Sequence, residues 1–410
     1  MTSQPGRHWP RVILLADMNA FFASVEQVDH PQWRARPVAL TNGEIGTCII
    51  TSSYEARAQG IRTGMHIREA RKRCPELIQV VSRPRRYAEV SANIMRALAR
   101  FTPEMEIFSV DEAFLDLSRC RRLWGTPQEM ALRVKQAVFE SSGILCSVGI
   151  SGDKTTAKFA AKLQKPDGLT IIPPWQARER LADLPLTELC GVNIGIASLL
   201  ARHGVRRCAD LQKLPISVLA SRFGNPGRRI WLMAQGLDPE AVKAQLPEVR
   251  SLGHGKVLPP NTRDIQTLRV YLMHMAHKLG ERLRTHQLVA DRYLYGLRLH
   301  RGWLKATRRS LLPSDDEQVI YRLGETWLRQ CWHGQGIWQI RIVALNPGHA
   351  CQADLFQRKH PGRQRRHEAM DSINSRYGAM TLASARLLGR SSMPDVISPA
   401  WKPVGPRKSL

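Results

Sequence analysis

The sequence predicts an α+β fold spread over several domains, and three observations carry this. The chain has 410 residues, enough for about two to four separate cores. Short apolar, β-rich runs (Val12–Ala16, Ile107–Val110, Ala113–Leu117, Ile144–Ile150) alternate with helical stretches such as Pro127–Ser141. A break rich in Pro and Gly at Leu246–Pro260, holding Gly253, Gly255, Pro259 and Pro260, is followed by a second set of helical and β-like patterns.

Taken in order, residues 1–20 and 83–173 form one α+β domain whose sheet carries the β-rich runs. Residues 21–82 read as a small insertion of helices with a short sheet. Residues 174–245 are short helices punctuated by Gly and Pro, and 246–260 read as a linker. Over 261–347 a helix (Thr267–Thr285) precedes β-like runs at Arg292–Leu299 and Ile337–Ala344, a second α+β domain. After Pro347 the chain turns polar and basic, with Arg358, Lys359, Arg363, Arg365 and Arg366 close together, so 348–410 is expected to be a partly disordered tail. No repeat of solenoid length is present.

The formal net charge is +26, from 61 Lys+Arg against 35 Asp+Glu. Such an excess favours a polyanionic partner, nucleic acid before anionic membrane. No apolar run reaches the ~20 residues that span a bilayer. Met1–Arg11 has no signal-peptide core, so a cytoplasmic protein is expected. The eight cysteines are scattered without a C-x-x-C pair, which argues against zinc and for reduced thiols.

The chemistry centres on Phe108-Ser-Val-Asp-Glu-Ala-Phe-Leu-Asp-Leu117, where adjacent carboxylates, Asp111 and Glu112, interrupt an apolar strand-like run. A third, Asp17, ends the run Val12–Ala16. Carboxylates ending buried strands are costly unless paired. A hard divalent cation is the usual partner, and two such ions can carry an in-line phosphoryl transfer. Asp111 and Glu112 would face opposite ways in a regular strand, so both reach one site only if a turn falls there, with Asp17 on a neighbouring strand. Spacing alone suits equally well an ordinary polar turn, with Asp17 as a helix N-cap.

Five ordered motifs add a resemblance. Asp17-Met-Asn-Ala-Phe-Phe-Ala-Ser-Val-Glu26, Ser53-Tyr-Glu-Ala-Arg57, Ser109-Val-Asp-Glu-Ala-Phe-Leu-Asp116, Val148-Gly-Ile-Ser151 and Lys165-Pro-Asp-Gly168 closely resemble the DinB/UmuC-type, Y-family translesion DNA polymerases over residues 11–350. The resemblance implies a right-hand polymerase. Its palm is 1–20 with 83–173, its small fingers 21–82, its helix-hairpin-helix thumb 174–245, its little finger 261–347. It implies that Asp17, Asp111, Glu112 and the Met18 carbonyl hold two Mg2+ ions. Phe22 is then the steric gate against ribonucleotides, with Phe21 packed in the fingers. Thr51, Tyr54, Arg57 and Lys165 then hold the triphosphate, whose charge rises in the transition state. Asn19 stands where many DinB-like members have Asp, at a position outside the implied ligand set. Lys154 and Lys158 are expected to face DNA or solvent.

For DNA, the turn Leu189–Gly195, with Gly191 and Gly195, resembles the family's helix-hairpin-helix, whose backbone N–H groups meet phosphates. Phe223–Arg229 is a second, weaker candidate. Arg298, Arg301, Lys305, Arg308, Arg309 and Arg341 make the little finger's runs basic, and His254 and Lys256 in the linker are expected to touch DNA. Gln352-Ala-Asp-Leu-Phe356 resembles the bacterial sliding-clamp peptide, with Gln352 anchoring and Leu355 and Phe356 filling an apolar pocket. Met370–Gly378 resembles a tail element of some bacterial members. The expected function is low-fidelity translesion synthesis by a monomer using primer–template DNA and dNTPs, with RecA or accessory subunits as further partners. A catalytically silent clamp-bound adaptor and a non-enzymatic DNA-binding scaffold are the alternatives. The intact carboxylates speak against both.

Overall fold

The computed structural model describes residues 9–43, 48–245, 248–349, 361–378 and 380–387. The chain divides between Leu246 and Pro247 into two compact units.

The first unit runs β1 (Ile13–Met18), α1 (Phe21–Asp29), β2 (Val38–Thr41), β3 (Ile49–Ser52), α2 (Tyr54–Ala58), α3 (Ile67–Arg73), β4 (Ile78–Val81), α4 (Pro84–Leu98), β5 (Met105–Ile107), β6 (Glu112–Asp116), α5 (Arg121–Trp124), α6 (Pro127–Ser142), β7 (Cys146–Ser151), α7 (Lys154–Leu163), β8 (Leu169–Ile171), α8 (Pro174–Leu181), α9 (Ile194–Ala201), α10 (Ile216–Phe223) and α11 (Asn225–Met233). Its main sheet has the order β5-β6-β1-β7-β8, with β1 antiparallel to both neighbours. Every β1 residue is buried, because helices cover both faces. Strand alternation sorts the side chains. Leu14, Ala16 and Met18 enter the core with α4 and α6, while Ile13 and Leu15 join Phe114 and the α7 residues Ala157 and Ala161. Asp17 follows Ile13 and Leu15, so it lies on the α7 face.

Close seating of α7 depends on Gly149 in β7. A Cβ there would lie 2.1 Å from the Ala157 carbonyl oxygen and 2.3 Å from the Ala161 nitrogen. The helix starts cleanly at Asp153, which accepts hydrogen bonds from the Thr156 N–H and Oγ1 (2.9 and 2.7 Å). A second sheet, β3-β2-β4, packs with α2 and α3 over its own core of Ile49, Ala56, Ile61 and Ile67. Phe21, Ala23 and Val25 of α1 pack into the main core, as do Val38 and Leu40 of β2. The helices α8–α11 follow, and Leu186, Leu200, Leu219 and Ile230 form a small core among them.

The second unit runs β9 (Ser251–Thr262), α12 (Ile265–Thr285), β10 (Leu288–Arg298), β11 (Trp303–Ser314), α13 (Glu317–Cys331), β12 (Ile337–Leu345), β13 (Gly348–His349) and α14 (Pro361–Tyr377). Its antiparallel sheet has the order β11-β10-β12-β9. Leu272, Leu279, Tyr293, Tyr295, Trp327 and Ile342 fill the core between that sheet and α12 and α13. The expected linker is corrected here: from Ser251 onward it is β9, paired with β12 from Ser251↔Leu345 to Lys256↔Ile340 and beyond. β9 is an edge strand, where Pro259 and Pro260 need donate to no further neighbour.

Within the tail, expected to be partly disordered, α14 is a helix docked on the second unit. His367, Met370 and Asn374 form a buried stripe at helical spacing. Arg284 of α12 grips Asp371 through Nε and Nη2 (2.6 and 2.9 Å), and His367 Nε2 lies 3.2 Å from Glu317. Past the helix, the Asn374 amide donates to the Leu382 carbonyl (2.9 Å) and accepts from its N–H (2.8 Å), and Leu387 is buried against the same core. Composition read these charges as solvated because their partners lie 50–87 residues upstream.

Candidate active site

Asp17 and Glu112 face each other directly in the β1–β6 register. Asp111 sits on the turn just before β6. The Phe108 and Ser109 N–H groups both donate to the Glu112 carbonyl (3.0 and 3.1 Å), which closes that turn, and the Met18 N–H donates to the Asp111 carbonyl (2.9 Å). The structure thus brings together the three acids that the sequence singled out, at the end of the central strand pair.

Each carboxylate already has a partner. Ser109 Oγ donates to Asp111 Oδ1 (2.6 Å). Lys165 Nζ is 2.5 Å from Asp17 Oδ1. Lys158 Nζ reaches both oxygens of Glu112 (2.6 and 2.7 Å) and lies 4.4 Å from the Phe108 ring centre. Desolvation by burial, opposed by Lys165 and helped by the charges of Glu112 and Asp111, pushes the Asp17 carboxyl up to about 7. Asp111 is raised as well, chiefly by desolvation and against the Ser109 hydrogen bond. Carboxyl groups held at this cost suit a hard cation, and the donor set of three carboxylates is all oxygen.

Two expectations are corrected. Lys158 faces Glu112 rather than DNA or solvent. Lys154 is 4% exposed and pairs with Glu106 (2.7 Å). Both lie on the α7 face turned to the sheet.

Phe22 is half-buried on α1, its ring 4.8 Å from that of Tyr87. Tyr87 is in turn fixed by Glu26, which is fully buried and accepts from the Tyr87 hydroxyl (2.5 Å) and from Arg83 Nε and Nη2 (2.9 and 2.7 Å). Sequence reasoning missed this support because its members are about sixty residues apart. Thr51 is buried in β3, and Ser53 caps α2, which carries Tyr54 and Arg57. The Arg57 guanidinium stacks 4.8 Å from the Tyr54 ring centre and donates from Nε to the Ser52 carbonyl (3.0 Å). Asn19, set aside as a non-ligand, is 3% exposed and donates from Nδ2 to Tyr54 Oη (3.3 Å) and Ser147 Oγ (3.2 Å). Ser147 is the β7 neighbour of Asp17 and accepts from the Gly168 N–H (3.2 Å), beside the Lys165 loop. Asn19 therefore ties the Tyr54 helix to the carboxylate strand.

Gly191 has φ +87° and is exposed, a conformation that glycine adopts freely. Gly195 lies in the first turn of α9, whose Asn193 cap accepts from the Ile196 N–H (2.9 Å). The second candidate turn, at Gly224, has φ +63° between α10 and α11.

In β9, Leu252, His254, Lys256 and Leu258 share one side of the strand, and Leu252 and Leu258 are core residues under the helices. His254 and Lys256 therefore turn toward α12. Lys256 lies 6.0 Å from the Tyr271 ring centre, and desolvation by burial lowers its pKa. They lie in a paired strand rather than in a linker. The opposite face of the sheet carries Arg292, Arg298, Lys305, Arg309 and Arg341, aligned across β10–β12 by the register Arg292↔Arg309, Gly296↔Lys305 and Gly296↔Arg341. Arg308 pairs with Tyr293 and so falls on the helix side. Gln352, Leu355 and Phe356 lie outside the described residues.

The model of the impB/mucB/samB family matches residues 16–162, and that of the family's C-terminal domain matches 249–355. A DNA polymerase IV of Moorella thermoacetica is 35% identical over 384 residues, 91% of this chain and 95% of that protein. A DNA polymerase IV of Pelotomaculum thermopropionicum is 33% identical over 384 residues, 91% and 94% of the two chains. Among solved structures, a Y-family DNA polymerase chimera of Dbh and Dpo4 superposes with a TM-score of 0.72 at 25% identity, covering 83% of this chain and 100% of that one. With three carboxylates gathered at one end of the β1–β6 pair and both family models matched in order, the chain belongs to the Y family of DNA polymerases, on its DinB-type side.

Proposed function

We propose that the chain is a DNA-directed DNA polymerase of translesion synthesis that adds dNTPs to a primer end with two Mg2+ ions held by Asp17, Asp111, Glu112 and the Met18 carbonyl. The observation that carries this is the pairing of Asp17 with Glu112 across β1 and β6, with Asp111 on the adjoining turn. When bound, the ions supply Lewis-acid activation of the primer hydroxyl and neutralise the triphosphate. The chain's own residues orient and discriminate. Phe22, backed by Tyr87, closes the space beneath the sugar. Tyr54 and Arg57 hold the phosphates, and Lys165 adds an ammonium there. The thumb turns at Gly191 and Gly195 and the cationic open face of the second sheet engage phosphates rather than base edges. Gln352–Phe356 is the peptide through which a sliding clamp recruits the enzyme.

Primer extension tests this. With Mg2+ and dNTPs, the wild type extends on undamaged and abasic templates, and Asp111→Ala and Glu112→Ala each abolish extension while still shifting primer–template in a mobility assay. Extension that survives either change refutes the assignment. Deleting 352–356 leaves extension intact without clamp and removes stimulation by it.

A further inference from the structure

Of the three site carboxylates, Glu112 has both oxygens on Lys158 and Asp111 accepts from Ser109, while Asp17 rests on Lys165 alone among the cations named here. We infer that Lys165 serves two anions in turn, the Asp17 carboxylate and the nucleotide triphosphate, so that a divalent ion arriving on Asp17 hands this ammonium to the nucleotide.

The argument is electrostatic. An ion bound to Asp17 at the usual ~2.1 Å and an ammonium 2.5 Å from the same carboxylate are like charges a few ångströms apart in a site where Asp17 is 6% exposed. Repulsion there is severe at low dielectric. Lys165 must leave Asp17 when the ion arrives. Its backbone stays, because the loop is held by Gly168 N–H on Ser147 (3.2 Å) and by Lys135 on Asp167 (2.8 Å). Only the side chain can swing. The neighbouring carboxylates cannot take it, since Asp111 and Glu112 would share the same ions. The remaining anion is the triphosphate at Tyr54 and Arg57, a cluster joined to the end of β1 through Asn19 (3.3 Å). One ammonium thus makes the two affinities reciprocal: without nucleotide it opposes the ion, and with nucleotide it is stabilised elsewhere and stops opposing it.

This rests on Asp17 being a metal carboxylate, and the test separates the two claims. Mn2+ binding to the full chain, without DNA or nucleotide, is measured by electron paramagnetic resonance of the free ion at about pH 8.5, above the raised Asp17 value. Binding of a dNTP to the enzyme on a dideoxy-terminated primer–template is measured alongside. Lys165→Met and Lys165→Gln should bind Mn2+ roughly tenfold more tightly and dNTP more weakly, opposite shifts that a folding defect cannot produce. Lys162→Ala, which removes a half-exposed α7 lysine paired with Glu188, should leave both unchanged. Unchanged or weaker Mn2+ binding in both Lys165 variants, with an unfolding midpoint like the wild type, overturns the handover. If Asp17→Asn leaves Mn2+ binding intact, the metal assignment itself fails.

Discussion

Breaking the ion pair between Glu26 and Arg83 from its two ends should produce unequal losses. Glu26 is 0% exposed at its side chain, whereas Arg83 is 39% exposed and also touches Asp29 (2.7 Å). Arg83→Met leaves a fully buried carboxylate with the Tyr87 hydroxyl (2.5 Å) and a His30 ring nitrogen at 3.6 Å. An uncompensated buried charge of this kind costs about 3–5 kcal/mol. Glu26→Gln removes the charge instead. Arg83 then turns to Asp29 and solvent, and Tyr87 still donates to the amide oxygen, for a loss of about 1 kcal/mol. The double variant should cost little more than Glu26→Gln, giving a coupling of about 3 kcal/mol. Hydrogen exchange of the β1 amides, followed against urea, reads the stability of the first unit alone. Equal losses from the two single variants, or an Arg83→Met loss below about 1 kcal/mol, would refute the reasoning. Because Tyr87 backs Phe22, the same Arg83 variant should also relax discrimination against ribonucleotides in single-insertion assays.

Other outcomes follow from geometry already described. Gly149→Ala places a Cβ 2.1 Å from a backbone oxygen of α7, so it should cost roughly 3 kcal/mol or more; calorimetry checks this. Asn19→Ala frees Tyr54, which should raise KM for dNTP about fivefold, the worth of one hydrogen bond, with kcat nearly unchanged. Burial alone would raise the Glu317 carboxyl, but the His367 hydrogen bond and Arg284 override it and hold it at about 2 against an ordinary 4.5. The folded value is depressed, so this stabilisation is complete above pH 4.5 and is lost as pH falls toward 2. The shift corresponds to about 3 kcal/mol. Exchange of the α14 amides should accelerate over that window, and Glu317→Gln should flatten the dependence.

The carboxylates were legible because an acid inside an apolar run has few inexpensive explanations, and three of them in two runs converge only if the runs pair. Within 261–347, α12, β10 and β12 were legible from period, whereas β11 and α13 were not read from it. What escaped depended on contacts distant in sequence. Helical spacing shows that Lys154 and Lys158 share a face but not that Gly149 seats that face on the sheet. Two Gly and two Pro made 246–260 read as a linker, although an edge strand tolerates them. The polar composition of α14 concealed a buried stripe whose partners, Arg284 and Glu317, come from α12 and α13. The fixing of Tyr87 by Glu26 left no local pattern at all.

The second unit grips its C-terminal extension on both sides of residues 350–360. β13 pairs with the start of β10 at Leu288↔His349, and α14 is fastened by Arg284 and Glu317. Loss of the second unit's core would therefore release β13 and α14 together.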